Sequence, residues 1–307
     1  MQPGCCCGRA VAHPGVMCYT GCSARTSTLE SQNVGDDEKM NKLLPLNEAV
    51  EMVASGHTLG LGGMTLYRRP VAFVRALLGT CATDLTLVSL TCGFESDLLV
   101  GAGRVRRVRT CYFGLESFGL APMFTGSATD GKLEVIDETE ASLSFGLRAT
   151  LAGVRFMPSR AWLGTDLFRV RPDVKTVRDP YSGEEYTAFP ALRADVMVIH
   201  APVADRLGNA RVVGNLGLDR ELGLASDRVI ITAERVVDKL EGPLELPGVG
   251  VDAVVEAPHG AWPTSCYSDY PLDGGELLEY VDACATGEFD AYLERFLARG
   301  ASGKGEV

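Results

Sequence analysis

No stretch of the 307 residues approaches the roughly 20 consecutive apolar positions a membrane-spanning helix needs, because Arg, Asp, Lys or Glu interrupts every apolar run. An excess of basic charge is missing as well: 29 Lys and Arg stand against 40 Asp and Glu, a formal net charge of -11. That sign is wrong for neutralising nucleic-acid phosphates, so a nucleic-acid role is excluded. Cysteines are present but unpaired in pattern. Five of the ten lie in the first 22 residues, with Cys5, Cys6 and Cys7 adjacent and Cys18 and Cys22 lacking a second pair downstream. This fits neither a disulfide framework nor a zinc site, and the same region lacks the apolar core of a signal peptide. The expectation is a soluble, cytoplasmic protein in a reducing compartment, without a resident metal.

Familiar catalytic signatures are absent too. Gly-x-Ser-x-Gly, His-Glu-x-x-His and Cys-x-x-Cys do not occur, which removes the standard hydrolase and zinc-protease readings. The turn Gly60-Leu61-Gly62-Gly63-Met64-Thr65 begins like a dinucleotide fingerprint but has Thr65 where the third glycine is needed, so NAD binding loses its motif.

What is there is an alternation of short apolar runs and helix-like stretches from Met40 onward, the signature of α/β units around a mostly parallel sheet flanked by helices. Strands are expected at Thr58 to Gly62, Asp84 to Leu90, Val105 to Phe113, Lys132 to Asp137, Ala194 to Ala201, Arg228 to Ala233 and Val251 to Ala257. The run Val196-Met197-Val198-Ile199 is continuously apolar, as a strand covered on both faces should be. Helices are expected at Leu46 to Ala54, Pro70 to Leu78, Ala141 to Leu151 and Gly275 to Ala298, three of them bounded by Gly56, Gly79 and Gly153. Residues 1–39 are rich in Cys, Gly, Ser and Thr without periodicity and read as a disordered leader, or as a stretch upstream of a true start at Met40. Residues 40–307 carry no repeat or long linker and read as one domain.

Three places could carry chemistry. The backbone N–H groups of Gly62, Gly63 and Met64, between a strand and a helix, could face a phosphate or an oxyanion; a plain tight turn is the competing reading. Glu138, just past a strand and flanked by Asp137 and Glu140, could act as a base at the carboxyl edge of the sheet, or complement the dipole of the helix that follows. His200 closes the apolar strand ahead of the turn at Gly208-Asn209, where it could line a ligand site or be satisfied inside the fold.

Taken in order, the segments Ser55-Gly56-His57-Thr58-Leu59-Gly60-Leu61-Gly62-Gly63-Met64, His200 through Arg211, Ile231-Thr232-Ala233-Glu234-Arg235-Val236-Val237-Asp238 and Val251 through Ala261 resemble the alpha subunit of the family I CoA-transferases, particularly the glutaconate CoA-transferase A branch. The resemblance spans about residues 46–298 and implies a NagB/RpiA-like α/β fold, a CoA thioester as substrate with no permanently bound cofactor, and a beta-type partner subunit in a heterodimer or heterotetramer. It also implies a ping-pong reaction through a glutamyl-CoA thioester, whose glutamate sits in the partner in a Ser-Glu-Asn-Gly-like motif. This sequence contains no Glu-Asn pair, so the resemblance implies a site completed by another chain. Thr65 to Pro70 departs from the glycine-containing version of short-chain 3-oxoacid CoA-transferases, which points to a different acyl group on the same fold.

The chain is also similar to the alpha chain of the actinobacterial steroid-ring hydrolase, a CoA-transferase relative that opens a carbocyclic ring on a CoA thioester. Arg68-Arg69-Pro70-Val71-Ala72-Phe73-Val74-Arg75-Ala76 and Asp137-Glu138 carry that likeness, which implies an activating base at Glu138. A non-catalytic ligand sensor is a remote alternative, since sensor relatives of this fold carry a basic helix-turn-helix that the leader does not resemble. Arg68, Arg69, Arg104 and Arg106 could pair with a substrate carboxylate or a CoA phosphate, but solvated surface arginines are the commoner case and the one expected here.

Overall fold

The computed structural model describes residues 41–301; the expected leader over residues 1–39 lies outside them. In chain order the strands are β1 (Thr58–Leu61), β2 (Leu85–Val88), β3 (Thr91–Cys92), β4 (Val105–Thr110), β5 (Tyr112–Phe113), β6 (Glu134–Asp137), β7 (Phe156–Ser159), β8 (Lys175–Arg178), β9 (Glu185–Pro190), β10 (Ala194–Asp205), β11 (Ala210–Arg211), β12 (Ser226–Val237) and β13 (Ala253–Glu256). The main sheet runs β13-β12-β10-β1-β2-β4-β6, parallel throughout, with the short β11 added antiparallel to β10. Chain order runs outward from β1 in one direction and from β10 in the other. Loops at the carboxyl ends of β1, β2, β4 and β6 therefore share one edge, the edge at which open α/β sheets present ligand sites.

Successive residues of β10 face opposite layers. Val196 and Val198 join a core with Phe73, Leu77, Phe94, Tyr280 and Phe296 from the helices Val71–Leu78, Phe94–Gly101, Gly274–Ala285 and Phe289–Ala301. Met197 and Ile199 join Leu143, Leu147 and Leu222 from the helices Glu140–Leu151 and Asp219–Leu224 on the other side. Both faces of the strand are covered, which is what its unbroken apolar run dictates. A second, antiparallel sheet, β7-β9-β8, packs Trp162, Val174 and Phe189 into a core of its own.

The expected elements reappear with shifted ends. Leu46 to Ala54 forms one α-turn, Leu46–Ala49, and a 3-10 turn, Val50–Met52; Val105 to Phe113 divides into β4 and β5; and the C-terminal helix breaks into two at Gly287, whose φ of +78° suits glycine. Strand β10 runs four residues beyond Ala201, through Pro202. The proline is tolerated because pairing with β1 ends at Val198, so its missing N–H interrupts no ladder on that side.

One buried acid ties the helical layer together. Asp97 is 0% exposed, accepts the N–H groups of Met123 (3.2 Å) and Phe124 (2.6 Å), and accepts the Tyr280 hydroxyl (2.6 Å). It thereby caps the helix Pro122–Thr129 from the helix Phe94–Gly101. Burial raises its carboxyl to about 6, against the lowering effect of the Tyr280 and backbone hydrogen bonds. A folded value above the unfolded one favours the protonated, folded form. The stability this group contributes is therefore complete below the ordinary carboxylate range and lost as pH rises through about 6. Urea unfolding at pH 4 and pH 7 should show the wild type losing, relative to Asp97→Asn, on the order of 2–3 kcal/mol over that interval; an unchanged difference would refute it.

Candidate active site

A cavity of about 500 Å³ opens at the carboxyl edge of the sheet, lined by Met64 and Thr65 after β1, Thr91 after β2, Cys111, Tyr112 and Glu116 after β4, and Glu138, Thr139 and Glu140 after β6. Four consecutive parallel strands thus each deliver a loop to one hollow.

Glu138 is 7% exposed and held from three directions. Its Oε1 accepts from Arg109 Nε (2.9 Å) and Nη2 (2.5 Å), and its Oε2 accepts from Ser142 Oγ (2.5 Å) and faces Arg171 Nη1 (3.0 Å). Arg109 comes from β4, Ser142 from the first turn of the helix Glu140–Leu151, and Arg171 from the segment before β8. Thr139 caps that helix in a reciprocal capping box with Ser142, and its hydroxyl accepts the Trp162 indole N–H (2.9 Å). Arg171 also donates to the Asp137 carbonyl (2.9 Å) and pairs with Asp173 (2.8 Å). The small sheet therefore grips the Asp137–Thr139 rim through two side chains, and the carboxylate is fixed in one orientation at the cavity wall. Thr139 caps the helix, and Glu138 beside it lines the cavity.

The glycine turn is tightly committed. Gly63 has φ +88°, and a Cβ there would lie 2.5 Å from the Tyr67 carbonyl oxygen, so only glycine fits. The Gly62 N–H donates to the Val198 carbonyl (2.9 Å), the Gly63 N–H to both Asp219 oxygens (3.0 and 3.2 Å), and the Met64 N–H to the Tyr67 carbonyl (2.9 Å). All three donors expected to face an oxyanion are engaged within the fold. Of the three residues only Met64 reaches the cavity lining.

His200 does not line the cavity. It is 0% exposed, with Nδ1 against Thr232 Oγ1 (2.9 Å) and Nε2 against Glu234 Oε1 (2.7 Å). Burial works to raise the Glu234 carboxyl, but hydrogen bonds from His200, Tyr270 and the His259 N–H bring it below the usual range. His200, Glu234 and Cys266 each offer one potential metal-ligand atom, all within 4.8 Å of one another. The histidine nitrogens and both glutamate oxygens already have partners within the protein, and burial with the Glu234 charge pushes the Cys266 thiol up to about 12.

Arg68 and Arg69, expected on the surface, are both 0% exposed. Arg68 donates to the His200 carbonyl (3.0 Å), the Asn215 carbonyl (2.9 Å) and Asp219 Oδ2 (3.0 Å). Arg69 donates to the Gly63 carbonyl (3.0 Å), the Thr91 carbonyl (2.9 Å) and Glu95 Oε1 (2.6 Å). Their planar forks satisfy carbonyls of loops that lack ladder partners, and so pin the β1, β2 and β10 loops to one another. No sequence spacing announces this, because Asp219 lies 151 residues from Arg68.

Cys111 is raised by burial, then by Glu140 and Glu138, and its Sγ donates to the Leu90 carbonyl (2.9 Å). The hollow presents a positioned carboxylate and hydroxyls, and its lining holds no Ser or Lys.

A family profile described as coenzyme A transferase matches residues 44–257. The A-type component of the 3-oxoadipate CoA-transferase of Pseudomonas knackmussii is 36% identical over 241 residues, covering 76% of this chain and 85% of that protein. The IpdA component of the cholesterol ring-cleaving hydrolase of Rhodococcus jostii is 36% identical over 266 residues, covering 81% and 88%. Among solved structures, glutaconate coenzyme A-transferase from Acidaminococcus fermentans superposes with a TM-score of 0.76 at 29% identity, over 83% of this chain and 88% of that one.

Proposed function

Because this chain belongs to the coenzyme A transferase family, we propose that residues 40–307 form the alpha-type subunit of a two-chain enzyme that moves CoA between an acyl-CoA and a carboxylic acid. The observation that supports the reading is the cavity at the sheet edge, with Glu138 fixed at a hydroxyl-lined wall, in a chain similar to the A-type component of a two-component CoA-transferase. A glutamate of a beta-type partner completes the site. That carboxylate attacks the thioester carbonyl, giving an acyl anhydride and CoA thiolate. The thiolate then attacks the glutamyl carbonyl, releasing the first acid and leaving a glutamyl-CoA thioester, which the second acid reverses. The partner makes a heterodimer or a dimer of heterodimers. The site of action in this reading is the cytoplasm; no helix among the described residues is long and apolar enough to cross a membrane.

Hydrolytic ring opening on a CoA thioester is the second reading, favoured by one observation: Glu138, the residue expected to serve as base, is at the cavity rather than merely capping a helix. Intact-mass analysis of both chains after incubation with acyl-CoA separates the readings. Transfer leaves a CoA adduct on the partner and passes CoA to an added carboxylate; hydrolysis leaves no adduct and needs Glu138. Absence of thioester turnover with the partner present would contradict both.

A further inference from the structure

The β8–β9 hairpin is stiff and stands in one direction. Its strands pair from Lys175–Ala188 to Arg178–Glu185, and the turn over residues 179–184 is closed by the Asp179 N–H on the Glu184 carbonyl (2.8 Å) and the Gly183 N–H on the Asp179 carbonyl (2.9 Å). The Asp179 carboxylate also accepts the Tyr181 N–H (3.0 Å) and the Ser182 hydroxyl (2.6 Å), Pro180 fixes its own φ, and Gly183 takes +73°. On this turn Tyr181 is 97% exposed, the most exposed large apolar side chain among the described residues. Strand β9 ends three residues before β10 begins at the amino side of the main sheet, so the turn points to the carboxyl side, where the cavity opens. Two bonds set the level: the Thr187 hydroxyl donates to the Ala161 carbonyl (2.5 Å), and the adjoining Trp162 reaches Thr139 in the cavity lining (2.9 Å). Gly183 lies four residues past Thr187, which at about 3.3 Å per residue lifts the turn roughly 10 Å beyond that rim. Other apolar side chains are exposed at the same edge: Tyr112 in the lining, Val170 next to the Arg171 that holds Glu138, and Tyr267 after β13.

Resting on the two-chain reading above, we infer that the β8–β9 hairpin is a docking arm for the beta-type partner, with Tyr181 as its anchor. A chain that brings a glutamate to the cavity has to approach the carboxyl edge, and there it meets a turn that already stands beyond the rim. A second copy of this chain has no such reason to sit at the cavity mouth. An aromatic ring on a rigid turn buries a large apolar area with little left to order, which is how a few central side chains come to carry most of an interface's affinity. Its hydroxyl defines the rest of the receiving surface, an apolar pocket with one polar group to answer the O–H. The same small sheet holds Glu138 through Arg171 and its neighbour Thr139 through Trp162, so the partner is seated on the element that positions the carboxylate.

The test is a titration of this chain with the beta-type subunit, with the Kd read by interferometry and kcat read at saturating partner. Tyr181→Ser is expected to raise the Kd roughly tenfold or more while kcat at saturation stays within about twofold. Tyr181→Phe, which keeps the ring, should hold the Kd within a few-fold of wild type. Leu151→Ser changes an exposed apolar residue at the far end of the helix that begins at the rim, and should leave the Kd unchanged. Both positions are exposed, so the variants should fold as the wild type does. A wild-type Kd for Tyr181→Ser overturns the inference, as does a loss that Leu151→Ser matches. A raised KM for acyl-CoA at unchanged Kd overturns it too, by making Tyr181 a substrate contact, and a change confined to the association of one heterodimer with another, read by sedimentation, hands the arm to a second copy instead. Absence of any complex with the wild-type chain overturns the two-chain reading itself, and the inference with it.

Discussion

On the ring-opening reading, Glu138→Gln in the enzyme assembled with its partner is expected to lower kcat by roughly 100-fold or more while the KM for acyl-CoA stays within a few-fold, whereas CoA transfer through a partner glutamate moves no proton and should fall far less. A positioned proton-transfer group contributes on the order of 10²–10⁴ in rate, and an amide cannot take the proton. The geometry adds to the loss. Oε1 and Oε2 of Glu138 receive two nitrogens of Arg109, one of Arg171 and the Ser142 hydroxyl, and an amide nitrogen would meet donors where an acceptor is required. Ser142→Ala is the control, since it removes the hydroxyl on Glu138 Oε2 and the acceptor of the Thr139 N–H but leaves both guanidiniums in place; its effect on kcat should be small. Stopped-flow or steady-state kinetics at saturating partner concentration gives both constants. A kcat for Glu138→Gln within a few-fold of wild type would remove this residue from the chemistry and leave it as a rim ion pair.

The largest effect on stability should come from Arg69→Met. The Arg69–Glu95 pair is 0% exposed on both sides, and Glu95 Oε2 is already without a hydrogen-bond partner. Removing the cation strands a carboxylate in the core, which costs about 3–5 kcal/mol for buried pairs of this kind. In a protein of this size that is a fall in Tm of roughly 10 °C, measurable by calorimetry. Arg106–Asp84 has similar geometry (2.9 Å) but side chains 51% and 57% exposed, so Arg106→Met should change stability by less than about 1 kcal/mol. Burial, not distance, decides between the two pairs. Equal effects would mean that Arg69 is not neutralising a charge the fold cannot otherwise tolerate.

How much of this fold is legible in the sequence depends on whether an element shows a pattern of its own. Strands such as β10 announce themselves because both faces are buried and the run is unbroken. The helix Phe94–Gly101 does not, since Phe94 through Val100 are all buried, Glu95, Ser96 and Asp97 included, and no amphipathic period is left to see. The small sheet β7-β9-β8 is hidden as well, being built from short strands with Pro158 and Pro190 in them, a composition that reads as loop. Glu138 stands out because it follows a strand directly. Its partners do not, because Arg109 lies 29 residues earlier and Arg171 arrives from the small sheet's own lead-in segment, so only the tertiary fold brings them together. The glycine turn is visible in the sequence, whereas the fate of its N–H groups hangs on Asp219 and Val198, which sequence cannot place beside it. His200 takes the blander of its two readings, that of a ring satisfied inside the fold.

The dependence on a second chain is best tested by titrating the purified chain with its beta-type partner and following thioester loss by the release or transfer of CoA. The expected result is no turnover above background for either chain alone, and activity that rises with added partner to a plateau at equimolar chains. Turnover by this chain alone would contradict the reading that its active site is half built.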